Sequence, residues 1–315
     1  MRRIHATALA SVIPTLVLAV TTALHAQSMQ DVEIKSHQVR GNVYMIEGRG
    51  GNIGLFVGKD GAFMIDDQFA PLTDRILTAV DGITDKLVKF LINTHWHSDH
   101  TGGNENIGKR GAIIVAHKNV RERLSTEQFM EAFGRTVPPS PDEALPVITF
   151  GDSLTFHWND DDVHVIHVPH AHTDGDSIIH FTKTNVIHMG DIYFSEGYPF
   201  IDPSSGGIID GVIRGVNKAL EISNDKTKYI AGHGKTTGRE ALIEYRDMLV
   251  NVRERINKMI EAGKTRKEII AARPTRNFDE QWGGGFMKPD QWVGLVYDGI
   301  QRNRTKLQDH KSGAD

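Results

Sequence analysis

Thr94-His95-Trp96-His97-Ser98-Asp99-His100-Thr101-Gly102-Gly103-Asn104 is the stretch from which the rest of the chain can be read. One residue before it ends Leu87-Val88-Lys89-Phe90-Leu91-Ile92, a nearly all-apolar run of the kind expected for a strand in a sheet covered on both faces. A strand end of this sort points side chains into a crevice. His95 and His97 stand two apart, so on extended backbone they project the same way and can share one cation. Asp99 and His100 lie past a turn and can reach a second. Imidazole and carboxylate donors together suit zinc above other biological divalent metals, with iron or manganese the next choices. Gly102 and Gly103 let the chain fold back tightly against such a site.

Three later segments repeat the pattern of an apolar strand ending in a potential ligand. Val163–Val168 leads to Pro169-His170-Ala171-His172-Thr173-Asp174-Gly175-Asp176, Val186–Met189 leads to Gly190-Asp191, and Tyr229-Ile230-Ala231 leads to Gly232-His233-Gly234. A lone His or Asp at a strand end usually caps the element or faces solvent. Burying several imidazoles and carboxylates together without a cation, however, is costly in desolvation and like-charge repulsion. In the third motif His170 and His172 are both available, and the His-Thr-x-Gly-Asp context favours His172. The other strand histidines, His157, His164, His167, His180 and His188, read as ordinary strand residues, and His117 as a surface residue.

Outward from these motifs the order is strands, helices, strands, helices, in two similar halves. Short β-rich runs occupy Val43–Ile46, Ile53–Val57 and Ala62–Ile65; Pro71 opens a helix to about Val80. A strand at Ala112–Ala116, a helix from about Asn119 to Phe133 and a Pro-rich loop at Val137–Pro146 complete the first half. The second half has strands at Leu154–Trp158, Val163–Val168, Ser177–Phe181 and Val186–Met189. A helix at about 211–222, a strand at 229–231 and a long amphipathic helix at about 239–262 follow. The remainder, about 264–315, reads as a helical extension of the same domain. This order argues for an α+β fold of two mixed sheets packed face to face with helices outside.

Composition removes several function classes. Across 315 residues, 36 Lys+Arg against 40 Asp+Glu give a net charge of −4, without the basic footprint of a nucleic-acid binder. Cysteine is absent, which excludes thiolate metal sites, disulfides and cysteine nucleophiles, whereas histidine numbers 16. Residues 1–26 have the layout of an export signal: Arg2-Arg3, an apolar run from Ala6 to Leu24 broken by Pro14, and Ala26 before Gln27-Ser28. The expected mature chain, 27–315, is therefore periplasmic or secreted, with no stable membrane insertion after cleavage.

The chain resembles the metallo-β-lactamase superfamily, whose signature is His-x-His-x-Asp-His followed by distant His, Asp and His; the resemblance runs from about Val43 to Ala262. It implies a four-layer αβ/βα sandwich and two zinc ions per chain. The first ion would be held by His95, His97 and His172, the second by Asp99, His100 and His233, with Asp191 as the bridging carboxylate. It also implies a hydrolase that uses a metal-held hydroxide on the carbonyl of a small-molecule ester, lactone, thioester or lactam. Asp99 is expected to act both as ligand and as the acceptor that orients the hydroxide. Tyr193, two past Asp191, either reaches a substrate carbonyl or leaving group, or packs its ring in the core.

Asp191 stands where true dinuclear β-lactamases usually carry cysteine or serine, which is more like glyoxalase II and lactonases. Gly50–Gly54 and Ile65–Ala70 are similar to the exported hydrolases of the superfamily. A true class B β-lactamase, and an oxidoreductase like the persulfide dioxygenases with one iron, are the alternatives. The nuclease branch needs an inserted domain for which there is no room. Loops 134–146 and 194–212, the latter with Tyr198 and Phe200, are expected to line the mouth.

Overall fold

The computed structural model describes residues 29–312, with side chains to residue 305; the expected export signal at 1–26 lies outside the described residues. The first sheet takes β1 (Lys35–Arg40), β2 (Val43–Glu47), β3 (Ile53–Phe56), β4 (Ala62–Ile65), β5 (Val88–Ile92) and β6 (Ile113–His117). A hairpin, β7 (Gln128–Met130) and β8 (Arg135–Val137), stands apart, and β9 (Ile148–Phe150) closes the first sheet beside β6. The second sheet runs β10 (Ser153–Trp158), β11 (Asp161–His167), β12 (Ser177–Phe181), β13 (Val186–His188) and β14 (Lys228–Ile230). β1 to β4 are antiparallel and β4-β5-β6-β9 parallel; in the second sheet only β13 and β14 pair parallel.

The period of two along each strand assigns side chains to layers. In β4, Phe63 and Ile65 enter the core between the sheets, where they meet Val163, Val165, Ile179 and Phe181 from the second sheet. Ala62 and Met64 turn the other way, under Ile76 and Val80 of the helix Thr73–Asp81. On the far side, Ile178, Ile187 and Tyr229 pack beneath the helices Ile209–Glu221 and Arg239–Glu261. The result is helix, sheet, sheet, helix: the four-layer αβ/βα sandwich expected from the sequence.

Three local readings change. The expected helix 119–133 stops at Leu124, because the Ser125 and Thr126 hydroxyls both donate to Glu122 O and close the last turn. The β7–β8 hairpin follows, turning at Gly134, whose φ of +57° suits glycine. β1 escapes the hydrophobic pattern altogether: its sequence, Lys-Ser-His-Gln-Val-Arg, is largely exposed, and its pairing with β2 makes it a strand. His117 is buried, not surface, with its ring stacked on His167 at 3.6 Å and 5°.

The C-terminal helices are part of the main body. Trp282, Met287, Trp292 and Val296 belong to the same apolar cluster as Leu242 and Tyr245, and the Trp292 ring stacks on Tyr198 at 4.4 Å. Among the described residues no helix is long and apolar enough to cross a membrane.

Candidate metal centre

Five strands deliver their carboxyl ends to one seam between the sheets. Asp66 follows β4, His95 to His100 follow β5, His172 follows β11, Asp191 follows β13 and His233 follows β14. His97 precedes the short helix Ser98–Thr101, which carries Asp99 and His100 round to the other side of the cluster. Close approach at this seam requires glycine twice: a Cβ on Gly51 would overlap the His100 ring, and one on Gly232 would overlap the Asp191 carboxylate.

All seven residues expected to hold metal come together here. The donor atoms of His95, His97 and His172 lie within 4.8 Å of one another, as do those of Asp99, His100 and His233. Asp191 sits between the two groups. Its Oδ2 is 3.5 Å from His172 Nε2, 3.9 Å from His95 Nε2 and 3.4 Å from His233 Nε2, while its Oδ1 is 3.0 Å from His100 Nε2. His170, the other candidate of the third motif, is exposed, with Nδ1 3.1 Å from Gly206 O, and takes no part.

The partners on the outer side of the rings decide where the protons are. Thr94 donates its hydroxyl to Asp66 Oδ2, so its oxygen is left to accept from His95 Nδ1 at 3.0 Å. His100 Nδ1 donates to Asp66 Oδ2 at 2.8 Å, His172 Nδ1 to Phe200 O at 2.7 Å, and His97 Nε2 to Asp202 Oδ2 at 3.1 Å. Each of these four rings therefore turns its other nitrogen inward, the one left to hold a metal. His97 Nδ1 and His172 Nε2 face each other at 2.8 Å. His95 Nε2 is buried with no hydrogen-bond partner, and His100 Nε2 is paired with Asp191 Oδ1 at 3.0 Å. An unpartnered ring nitrogen and two others set face to face are unfavourable in a buried site by themselves, and one or two cations remove the conflict. The donor set, imidazole with carboxylate and no thiolate, fits zinc.

The two halves differ in charge. Burial, helped by the neighbouring His100 and His172, holds His95 well below the usual histidine range, and burial brings His172 down to about 4 against the pull of Asp191. On the other side burial also acts on His100 and His233, but Asp191 and Asp99 outweigh it. His100 ends well above its ordinary value and His233 rises to about 9. Burial would raise the Asp99 and Asp191 carboxyls; His100 and His233 hold both ionised instead, well below the usual carboxylate range.

For Tyr193 the structure selects the second of the two sequence readings. The turn Gly190–Ile192 after β13 is 3-10, so the two-residue alternation that would have aimed Tyr193 at the site no longer applies. Its ring is buried against Tyr245 at 5.0 Å and its hydroxyl bonds Thr237 Oγ1 at 3.0 Å, with burial pushing the phenol up to about 12. It is a core residue.

The cavity over the ligands has a volume of about 700 Å³. Phe194, Glu196, Tyr198 and Phe200 line it, as expected of loop 194–212, but loop 134–146 contributes only Arg135. Met130 and Phe133 of the hairpin, and Gly285 and Phe286 of the C-terminal segment, supply wall that the sequence reading missed. Asp66 and Asp202 were missed as orienting residues. Asp66, at the end of an apolar strand like the ligands themselves, carried a readable signal; Asp202, in an irregular loop, did not.

Comparison with known proteins agrees with this geometry. The sequence model of the Metallo-beta-lactamase superfamily matches residues 46–240. A hydroxyacylglutathione hydrolase from Pelagibacter ubique is 28% identical over 153 residues, 47% of this chain and 53% of that protein, so the chain spans about half the length of this curated relative. Among solved structures, the sec-alkylsulfatase Pisa1 from Pseudomonas sp. superposes with a TM-score of 0.65 at 16% identity, over 87% of this chain and 51% of that one. A metallo-beta-lactamase from Pontibacter korlensis gives 0.56 at 16% identity, over 70% of this chain and 100% of that one. At these identities the structural likeness is one of fold.

Proposed function

The chain belongs to the metallo-beta-lactamase superfamily, and on that premise we propose that it is a hydrolase holding two zinc ions and acting on a small-molecule carbonyl compound: an ester, lactone, thioester or lactam. The observation that carries the reading is the set of four imidazoles whose outer nitrogens are committed as donors, leaving their inner nitrogens turned into one cluster around Asp191. His95, His97 and His172 would hold one ion, Asp99, His100 and His233 the other, with Asp191 serving both.

When bound, such ions supply Lewis acidity, polarising a carbonyl and acidifying water at neutral pH. The protein's own groups do the rest. Asp99 is partly exposed to the cavity, whereas Asp191 is buried. Asp99 is thus the carboxylate able to accept a proton from an attacking water and hold that water in line. Against its burial, Asp202 is kept ionised first by the His97 ring and then by the hydroxyls of Ser204 and Ser205, and it fixes that ring. The aromatic wall of Phe194, Phe200 and Phe133 gives the reacting centre an apolar side.

Elemental analysis of the purified mature chain, paired with a panel of ester, lactone, thioester and lactam substrates, tests the proposal. The expected result is two zinc ions per chain and hydrolysis that a chelator abolishes and zinc restores. A single iron with oxygen uptake on a persulfide would move the protein to the dioxygenases, and turnover confined to lactams would make it a β-lactamase. The proposed export is checked separately: the mature chain should begin near Gln27 in a periplasmic or secreted fraction, and recovery of a Met1-containing chain in membranes would overturn it.

A further inference from the structure

A second cavity, of about 570 Å³, lies behind the one over the ligands. The two share three residues, Phe133, Phe200 and Phe286, each from a different part of the chain: the hairpin turn, the loop after Asp191 and the C-terminal segment. Their rings form a screen, with Phe133 5.1 Å from Phe200 and 6.2 Å from Phe286. The screen begins at the metal ligands, because the Phe200 ring is 5.8 Å from that of His97 and 5.6 Å from that of His172. Beyond it, Met287 and Leu295 continue the apolar wall. The charges at the far rim are matched among themselves, Arg266 with Asp298 at 2.9 Å and Arg302 with Glu131, so nothing there calls for a charged ligand.

Two of the three rings are poorly covered: Phe133 is 48% and Phe286 70% exposed. Large aromatic rings left facing a cavity gain free energy when an apolar group covers them. A carbonyl centre at the ligands occupies only the near end of this double cavity. We infer that the substrate carries an extended aliphatic chain, which runs over the open faces of the contacting Phe133 and Phe286 rings, past Phe200, and lies in the second cavity. This deepens the hydrolase reading and rests on it for the reacting group, but not for the chain. The screen then acts as a ruler: each methylene that passes it adds about fourfold to kcat/KM, until the cavity is full.

The test uses the zinc-loaded mature chain in two arms. In the first, kcat/KM is measured for p-nitrophenyl esters from acetyl to dodecanoyl; the expected result is a rise with chain length that levels off. In the second, decanol and butanol, which contain no bond to hydrolyse, are titrated by calorimetry, and decanol alone is expected to bind measurably. Leu295→Trp fills the second cavity from its far wall, and should cut the dodecanoyl-to-acetyl ratio and the decanol affinity by tenfold or more. A flat chain-length series together with no decanol binding overturns the inference, as does a chain-length rise that survives Leu295→Trp in a folded variant. Decanol binding that Leu295→Trp removes, in a protein that cleaves none of the esters, sustains the chain cavity while the hydrolase reading fails.

Discussion

The two halves of the metal centre are built from similar residues and solve different problems. His95, His97 and His172 are buried imidazoles, each pinned through its outer nitrogen to Thr94, Asp202 or Phe200 O. Asp99, His100 and His233 mix carboxylate with imidazole, and Asp99 and His233 are partly open to the cavity. Their charges are correspondingly unlike: burial keeps His95 and His172 neutral, whereas carboxylates keep His100 and His233 inclined to hold protons. The first half is a preformed cage; the second must give up protons to a metal and stays in touch with solvent and substrate.

The largest effect expected is on both halves at once. Asp191→Ala removes the one carboxylate within reach of His95, His172, His100 and His233. Elemental analysis should show metal lost from both halves, with hydrolysis at background. Retention of both ions and of activity would mean that the halves are independent. Acid should separate them. A proton on His233, with its value near 9, competes with metal throughout the range below about 9, whereas His172 begins to compete only below about 4. Zinc content after dialysis at stepwise lower pH should therefore fall from two per chain to one before it falls to none. Simultaneous loss would erase the distinction.

Smaller effects sharpen the comparison. Asp202→Ala frees the outer nitrogen of His97 and should weaken the first ion by about ten- to a hundredfold. The second ion should be unaffected, as chelator competition would report. The smallest effect belongs to His170→Ala, two residues from a ligand but outside the cluster; metal content should stay at the wild-type value. Loss of the first ion in that variant would exchange the roles of His170 and His172.

The centre was legible because its chemistry is concentrated in short, strongly patterned segments. Four donors fall within six residues, and the other three each end an apolar strand that periodicity locates. The layer order followed from the same strands. What failed to show in the sequence depends on contacts between distant segments. β1 exists because of its neighbour rather than its own composition, and Tyr193 is turned into the core by a 3-10 turn that alternation does not anticipate. Asp202 acts from an irregular loop held by Ser204 and Ser205. The C-terminal segment is helical. Its share in the cavity wall arises where Gly285 packs against Gly197, an approach too close for any side chain and without a local signature.

The ligands are divided between the two sheets. Each set of three has two donors from the loop after β5 and one from the second sheet, and Asp191 adds a further donor from the second sheet. An ion held there would clasp parts of the chain more than seventy residues apart. Occupancy and cohesion of the two sheets are then thermodynamically linked, and an ion present at a thousand times its dissociation constant adds about 4 kcal/mol to the folded state. The chain's resistance to heat, and its survival among proteases, would in that case rise and fall with the zinc supply of its surroundings.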